Sequence, residues 1–229
     1  MSKVRLPVNK THWTQHSDCA VVNAYYNRIE NSIYFPAGIL QGVYFNEGRP
    51  NYMNYGGIGC VITHEITHAF DIQGSQYNEH GILVNWWSNE TKKAYNEKVK
   101  CVIEQFNNFK AEEINMQVNG ENTLPENIAD IGGIKNAYSA YEKILKEVGE
   151  EPNLPGLNYN NRQMFWLAAG TAGCAKLRNE ALKLEILTDE HAPRKFRVWG
   201  LVTNMPEFAR DFNCSKTSKM NPDKKCNLW

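Results

Sequence analysis

The sequence predicts an α+β fold that is mostly helical and carries a small β-sheet near its beginning. Two runs of β-branched and aromatic residues, 19–26 and 32–35, flank a polar turn, and the second ends at Pro36, which is typical of a hairpin. Downstream, apolar residues recur at helical spacing between capping residues, prolines and glycines. The 229 residues are enough to bury a core in one large domain or two small lobes.

Local signals place the helices. Ser88 and Thr123 are good N-cap residues, and Pro125 and Glu126 favour a helix start just after Thr123. The predicted helices cover residues 58–73, 88–109, 123–148 and 161–178, with short helices over 194–213. The polar residues 1–18 are predicted to be an irregular lead-in to a domain over residues 19–229.

Composition argues against several classes of protein. Lys and Arg balance Asp and Glu at 25 each, so no nucleic acid or anionic membrane is indicated as the main partner. No stretch approaches the roughly 20 apolar residues that a membrane span needs. The first residues also lack the apolar core of a secretory signal. We therefore expect either an intracellular protein or part of a longer precursor.

The cysteines favour the longer precursor. None of the six lies in a C-x-x-C pair, and their wide spacing is typical of disulfides in an exported domain. The alternative is a set of buried, reduced thiols in a cytosolic protein. The six are Cys19, Cys60, Cys101, Cys174, Cys214 and Cys226.

The most informative motif is a pair of histidines four residues apart, His64 and His68, with Glu65 directly after the first. On the predicted helix both imidazoles project from one face, as two ligands of one zinc ion require. Glu65 lies beside that face, where it can reach a metal-bound water without ligating the metal. The alternative is a chance match on an amphipathic helix. The apolar residues around the motif favour a buried catalytic helix.

Acidic residues supply the remaining parts of a zinc site. Glu126, near the start of the predicted helix 123–148, is the candidate third ligand and leaves a fourth position open. Asp130 lies one turn further on the same face and can hold a ligand histidine by its ring N–H. Asp71, placed on the His64 side of its helix, is a second candidate for that orienting role. The alternatives are a capping carboxylate for Glu126 and solvent-exposed acids for the other two.

Two motifs and several flanking stretches together carry a family resemblance: 64–71 and 126–130, with 22–26, 35–41, 54–59, 154–157 and 220–226. These residues resemble the neprilysin and endothelin-converting enzyme family of zinc endopeptidases, from about residue 16 to Trp229. The resemblance implies a thermolysin-like zincin catalytic domain with one Zn²⁺ per chain, bound by His64, His68 and Glu126. It also implies a location outside the cell or at the cell surface.

Further roles follow from the resemblance, position by position. Asn23 and Ala24 match an edge-strand pair that hydrogen-bonds the substrate backbone. His191 matches a histidine that stabilises the oxyanion, and Arg197 matches an arginine of the primed-side substrate site. Without the resemblance, His191 would be a loop histidine and Arg197 a helix-surface charge. Three more positions match the pocket for the residue after the cleaved bond: Ile39, Tyr44 and Val61.

The implied activity is hydrolysis of oligopeptides on the amino side of hydrophobic residues. Glu65 would act as general base toward a zinc-activated water, with His191 and Asp130 completing the catalytic group. Peptides are therefore the expected substrates. The alternative is a truncated, weakly active or inactive relative that binds peptides or a protein partner without turnover.

Members of that family are much longer than this chain, with a membrane anchor and a helical lobe that closes over the active site. We therefore expect the chain to be a C-terminal catalytic portion, with the missing lobe as a covalent or non-covalent partner. The absence of the lobe is expected to leave an apolar face uncovered.

The cysteines are read in the same way. The resemblance pairs Cys101 with Cys226 inside this region. It pairs Cys174 and Cys214 with cysteines of the missing part, so here they would be free or paired otherwise. The remaining two, Cys19 and Cys60, each precede an active-site element by four residues, which suggests the hypothesis that they form a disulfide with each other.

Overall fold

The computed structural model describes residues 18–216 and 218–228. The predicted lead-in over 1–18 therefore lies, apart from Asp18, outside the described residues. The mostly helical α+β architecture is confirmed, because most of the elements are helices and the strands form two small antiparallel sheets. The strands are β1 Tyr25–Asn27, β2 Ser32–Tyr34, β3 Lys110–Ala111 and β4 Met116–Gln117. The helices are α1 Asn51–Asn54, α2 Cys60–Thr67, α3 Asn89–Asn107, α4 Leu124–Val148, α5 Asn161–Ala172, α6 Asn179–Thr188, α7 Arg194–Thr203 and α8 Pro206–Asp211.

The predicted hairpin is present, but its first strand is shorter than expected. Tyr25 pairs with Tyr34 and Asn27 with Ser32, so β1 holds only three residues. The segment 19–24 instead crosses the chain near Gly38, whose N–H donates to Cys19 O at 2.8 Å. Among residues 18–216 and 218–228, β2 pairs only with β1, and no other strand extends the ladder to residues 19–24.

The motif helix begins earlier and ends earlier than predicted. The helical path starts with α1, widens into a π-turn over Tyr55–Gly59, continues as α2 and closes with a 3₁₀ turn over His68–Phe70. Asp71 ends it, because its backbone is extended and its Oδ1 accepts the N–H groups of Gln73 (2.6 Å) and Gly74 (2.7 Å). The prediction of a helix to residue 73 was therefore wrong.

The helices α3 and α4 form largely as predicted. The Ser88 hydroxyl accepts the Thr91 N–H at 3.1 Å and caps α3. Thr123 is the N-cap residue of α4, but the expected side-chain cap is absent. Its hydroxyl donates to Asn119 O (3.0 Å) and accepts from Asn127 Nδ2 (2.8 Å). The alternative considered for Glu126, a capping carboxylate, does not apply, because its carboxylate turns toward the histidines of α2.

The C-terminal part of the chain also differs from the prediction. The predicted helix 161–178 ends at Ala172, because the N–H groups of Gly173 and Cys174 bond to carbonyls three residues back and tighten the last turn. It is followed by a separate helix, α6, which was not predicted. Leu182 and Ile186, one turn apart, bury its inner face. The short α7 and α8 lie within the predicted span 194–213.

Two apolar clusters hold the helices together, and α4 contributes to both. One joins α3 and the first half of α4 to α6, α7 and the C-terminal tail, with Phe106, Ile128 and Leu228 among its fully buried members. The other joins the second half of α4 to α1, α5 and α8 around Tyr141 and Phe165. Since α4 packs on α2 as well, it is the central helix that positions the site.

The predicted Cys101–Cys226 disulfide is confirmed, and it links α3 to the C-terminal tail. The hypothesised Cys19–Cys60 disulfide is wrong, because both thiols are free. Cys174 and Cys214 are also free, as the resemblance allowed. In the described part of the chain, no helix combines the length and apolar character needed to cross a membrane.

Candidate metal site and active site

The candidate site forms where α2 and α4 cross at close range. The crossing point on α4 is Gly133, where a Cβ would stand 3.0 Å from the Cα and N of His64. The Thr63 hydroxyl donates to the Gly133 carbonyl at 2.7 Å. Because the two backbones touch, the first turns of α4 lie directly against the histidine face of α2.

Three side chains converge at this crossing. The Nε2 atoms of His64 and His68 lie 3.0 Å apart. The Glu126 carboxylate faces both, with Oε2 at 3.3 Å from His64 Nε2 and Oε1 at 3.4 Å from His68 Nε2. All three ligand atoms lie within 4.8 Å of one another, so together they could hold a metal ion.

The donor set and the spacing fit zinc. Two imidazole nitrogens and one carboxylate oxygen are a common catalytic zinc set. Bonds of about 2.0–2.2 Å in a tetrahedral site place ligand atoms roughly 3.3–3.6 Å apart. The two imidazole–carboxylate distances, 3.3 and 3.4 Å, lie in that range, and the 3.0 Å between the imidazole nitrogens is slightly shorter. Glu126 Oε2 is buried without a well-oriented hydrogen-bond donor, although His191 Nε2 lies 3.0 Å from it. A cation would satisfy that oxygen.

Each histidine is held by a carboxylate at its other ring nitrogen. Asp130 Oδ1 lies 2.9 Å from His64 Nδ1, and Asp71 Oδ2 lies 2.7 Å from His68 Nδ1. Asp71 therefore pairs with His68, whereas the sequence had placed it on the His64 side. The helix ends after Phe70, so Asp71 leaves the helical spiral and turns back to the nearer imidazole. This arrangement directs Nε2 of both rings toward Glu126.

Two residues of the C-terminal third complete the surroundings. Arg197, on α7, forms a bidentate pair with Asp130 through Nε and Nη2, both at 2.7 Å. His191 lies in the turn before α7, and Asp189 Oδ1 accepts its backbone N–H and contacts its Nδ1, each at 2.8 Å. His191 thereby presents Nε2 to the site.

Burial and neighbouring charges together shift the pKa values of the ionisable groups at the site. Burial opposes ionisation of Glu126, but the nearby imidazoles of His191 and His64 outweigh it and lower its pKa. Burial acts likewise on Asp130, whose pKa the Arg197 guanidinium brings far below its usual range. Burial disfavours a charged His64, yet the hydrogen bonds to Asp130 and Glu126 raise its pKa to about 9. Without a cation, the site therefore retains protons.

Glu65 differs from the other carboxylates. It is buried and lines the same cavity, and the described part of the chain places no arginine in an ion pair with it. Burial is the main cause that raises its pKa, with the two neighbouring histidines opposing the rise. A carboxylate with a raised pKa beside a candidate metal site is suited to take up and return a proton.

A cavity of about 580 Å³ opens over the metal site and extends along the cleft. Asn23 and Ala24 line this cavity. They were expected within the first strand, but they lie just before β1, which begins at Tyr25. The structure brings Ile39, Tyr44 and Val61 together on one apolar wall, in contact with the buried Ala24. All residues proposed from the sequence for substrate binding therefore line one cavity.

Other cavity residues had not been singled out. Asp189 orients His191, and its position two residues before the histidine was the available signal. Glu185 and Arg194 lie nearby, while Arg28 lies at the opposite end and donates to Gln73 Oε1 at 2.7 Å. These residues carry no local motif, so only the packing of α6 and the hairpin identifies them.

The fold and the His, His, Glu cluster define a chain of metallopeptidase type, and comparison with known proteins specifies the family. The model of peptidase family M13 matches residues 23–228, so this chain belongs to peptidase family M13. The chain is 54% identical to neprilysin-2 of Drosophila melanogaster and 45% identical to human neprilysin, covering all of this chain in both cases. It spans about 30% of the length of each of these relatives.

Solved structures agree with this assignment. The zinc metalloprotease ZMP1 of Mycobacterium tuberculosis, solved with an inhibitor, aligns with a TM-score of 0.92 at 32% identity. The match covers the whole of this chain and 35% of that one. A galactose-containing glycoprotein complex from Haemonchus aligns equally well, at 33% identity, with 38% of that chain covered.

Proposed function

We propose that this chain is a zinc-dependent metalloendopeptidase unit, spanning residues 19–229, that hydrolyses oligopeptides. The observation that carries the proposal is the convergence of His64, His68 and Glu126 at 3.0–3.4 Å, with the orphaned oxygen of Glu126 among them. Membership of peptidase family M13 supports the same reaction. The three residues would bind one Zn²⁺.

The chain's own residues provide the acid–base chemistry. Zinc, when bound, would polarise the scissile carbonyl and make water more acidic. Glu65 takes the proton of the attacking water and returns it to the leaving amine, for which its raised pKa is suited. His191 directs Nε2 toward the site and donates a hydrogen bond to the oxygen that becomes negative. Asp130 and Asp71 keep the two ligand imidazoles in orientation.

The cleft supports a substrate preference. Asn23 and Ala24 precede the edge of β1, where polar backbone groups can pair with an extended peptide. Arg197 uses Nε and Nη2 for Asp130, so Nη1 can donate to a substrate carbonyl. The apolar wall would accept a hydrophobic side chain on the carboxyl side of the cleaved bond. That wall is formed by Ile39, Tyr44 and Val61.

A second function has one observation in its favour. The chain spans about 30% of the length of neprilysin-2 of Drosophila melanogaster and of human neprilysin. A separate lobe, covalent or not, is then a partner that would close the cleft, and without it the domain would bind peptides with little turnover.

The Cys101–Cys226 disulfide supports a location outside the cell or at its surface.

A zinc titration and a peptidase assay test these proposals together. We expect one zinc per chain and cleavage of a fluorogenic peptide with a hydrophobic residue after the scissile bond. A chelator should abolish the cleavage. Glu65→Gln should retain zinc and lose at least about a hundredfold in kcat. Absence of zinc would refute the metal site, whereas bound zinc without chelator-sensitive cleavage would favour the binding function.

A further inference from the structure

The α2–α4 crossing brings the backbones of the two ligand-bearing helices close together. An added Cβ at Gly133 would lie 3.0 Å from two backbone atoms of His64 and 3.2 Å from Cys60 O. All three are backbone atoms, which cannot rotate away as a side chain can. A Cβ at residue 133 would therefore push the two backbones apart by a few tenths of an ångström, and glycine permits the observed separation.

Thr63 adds a polar link at the same crossing. Its hydroxyl oxygen lies 2.7 Å from Gly133 O on α4, 2.8 Å from Gly59 O and 3.2 Å from Cys60 O. The hydroxyl has one proton to donate, and the nearest acceptor belongs to the other helix. A carbon atom in the same place would need about 3.3 Å or more to a carbonyl oxygen, so the hydroxyl also permits the short separation.

The crossing lies close to the ligands on both helices. Thr63 directly precedes His64, and Gly133 lies three residues after Asp130 and seven after Glu126 on the continuous helix α4. A change of half an ångström in helix separation would pass directly into the 3.3 Å between His64 Nε2 and Glu126 Oε2. A zinc site tolerates only about 0.2 Å in each ligand distance.

We propose that Thr63 is a positioning residue for the metal centre, because its hydrogen bond to Gly133 sets the distance between the two helices that carry the ligands. The inference rests on the proposed zinc function. The competing explanation is that the Thr63 hydroxyl donates its hydrogen bond to the Gly59 carbonyl, one turn earlier in the same helical path. In that case it would stabilise α2 without affecting the geometry of the ligands.

Two substitutions at residue 63 separate these explanations. Thr63→Val keeps the shape but replaces the donor with a methyl group that repels the Gly133 carbonyl, so the zinc Kd should rise about tenfold. Thr63→Ser keeps the hydroxyl, and its zinc Kd should equal that of the wild type. Thr63→Ala adds no clash and provides a milder variant, with an expected rise of about threefold, should the valine protein not fold.

Thr67→Val is the matched control on the same helix. The Thr67 hydroxyl donates to Thr63 O at 2.7 Å, within α2, and the side chain is buried. Its loss should lower stability while leaving the zinc Kd unchanged within about twofold. The pair therefore distinguishes loss of a helix hydroxyl from loss of the link between helices.

The measurement is Zn²⁺ affinity by chelator competition, together with the visible spectrum of the Co²⁺-loaded protein. We expect the Thr63→Val and Thr63→Ala proteins to show weaker Zn²⁺ binding and shifted Co²⁺ bands. Unchanged Kd and spectra in both, with zinc bound normally by the wild type, would overturn the positioning role alone. A wild-type protein that binds no zinc would instead overturn the proposed function and, with it, this inference.

Discussion

Asp130→Asn should damage both stability and metal binding, for separate reasons. Asp130 is 8% exposed and serves two partners, the Arg197 guanidinium at 2.7 Å twice and His64 Nδ1 at 2.9 Å. Asparagine keeps the size but removes the charge. Arg197 would then remain largely buried without its counter-ion, which costs about 3–5 kcal/mol. That is a large share of the 5–15 kcal/mol typical of a folded domain.

The metal effect follows from the second partner. Without the carboxylate, His64 loses the acceptor that fixes its orientation, and zinc affinity should fall about 10- to 100-fold. Urea unfolding of the metal-free protein measures the first effect. Chelator competition measures the second. The two readouts are independent because the unfolding experiment contains no zinc.

Asp71→Asn is the matched control. Asp71 orients His68 in the same way, but its other contacts are the backbone N–H groups of Gln73 and Gly74, which an amide oxygen can still accept. We expect a similar loss of zinc affinity with a stability loss of only about 1 kcal/mol. Equal destabilisation by the two substitutions would refute the argument from the buried Arg197. Unchanged zinc affinity in both would refute the orienting roles.

Three further outcomes are expected. Replacing Cys101 and Cys226 by alanine should cost about 4–5 kcal/mol in urea unfolding, since the disulfide closes a separation of 125 residues; a loss below about 1 kcal/mol would contradict this. In excess chelator, the stability due to protonated His64, about 3 kcal/mol, should be complete below pH 6.5 and lost as the pH rises through about 9; unfolding curves that coincide at pH 6 and 9.5 would count against it. Gly74→Ala should destabilise the fold by about 3 kcal/mol, because its Cβ would overlap the His68 carbonyl oxygen; a thermal melt equal to wild type would exclude that contact.

Several elements could be predicted because their causes are local. The N-cap of α3 lies at Ser88, where a hydroxyl and the following turn are only three residues apart. The hairpin turn between Asn27 and Ser32 also depends on adjacent residues. The ends of helices were less predictable, because several local bonding patterns can compete for the last backbone groups of a helix. Asp71 ends the motif helix through its own side-chain bonds, and α5 stops at Gly173 with a tightened turn.

The start of α4 shows how a distant site can override a local signal. Its residues, Thr123 and Glu126, have the right types and spacing for reciprocal bonds. In the fold, Glu126 instead faces the histidines of another helix. The Glu126 carboxylate cannot lie both at the helix start and in the buried site. Contacts with two imidazoles stabilise it more than one hydrogen bond from a backbone N–H would.

The sequence by itself determined that His64 and His68 share one face of a helix, because a spacing of four is set by the helical repeat. Only the tertiary structure decided which carboxylate serves which histidine, since that depends on where the motif helix ends and how closely α4 approaches. The pairing of Arg197 with Asp130, across 67 residues, was likewise beyond any local signal. The spacing of the two histidines is set within one helix. The convergence of the histidines with Glu126 depends on the packing of α2 against α4 at Gly133.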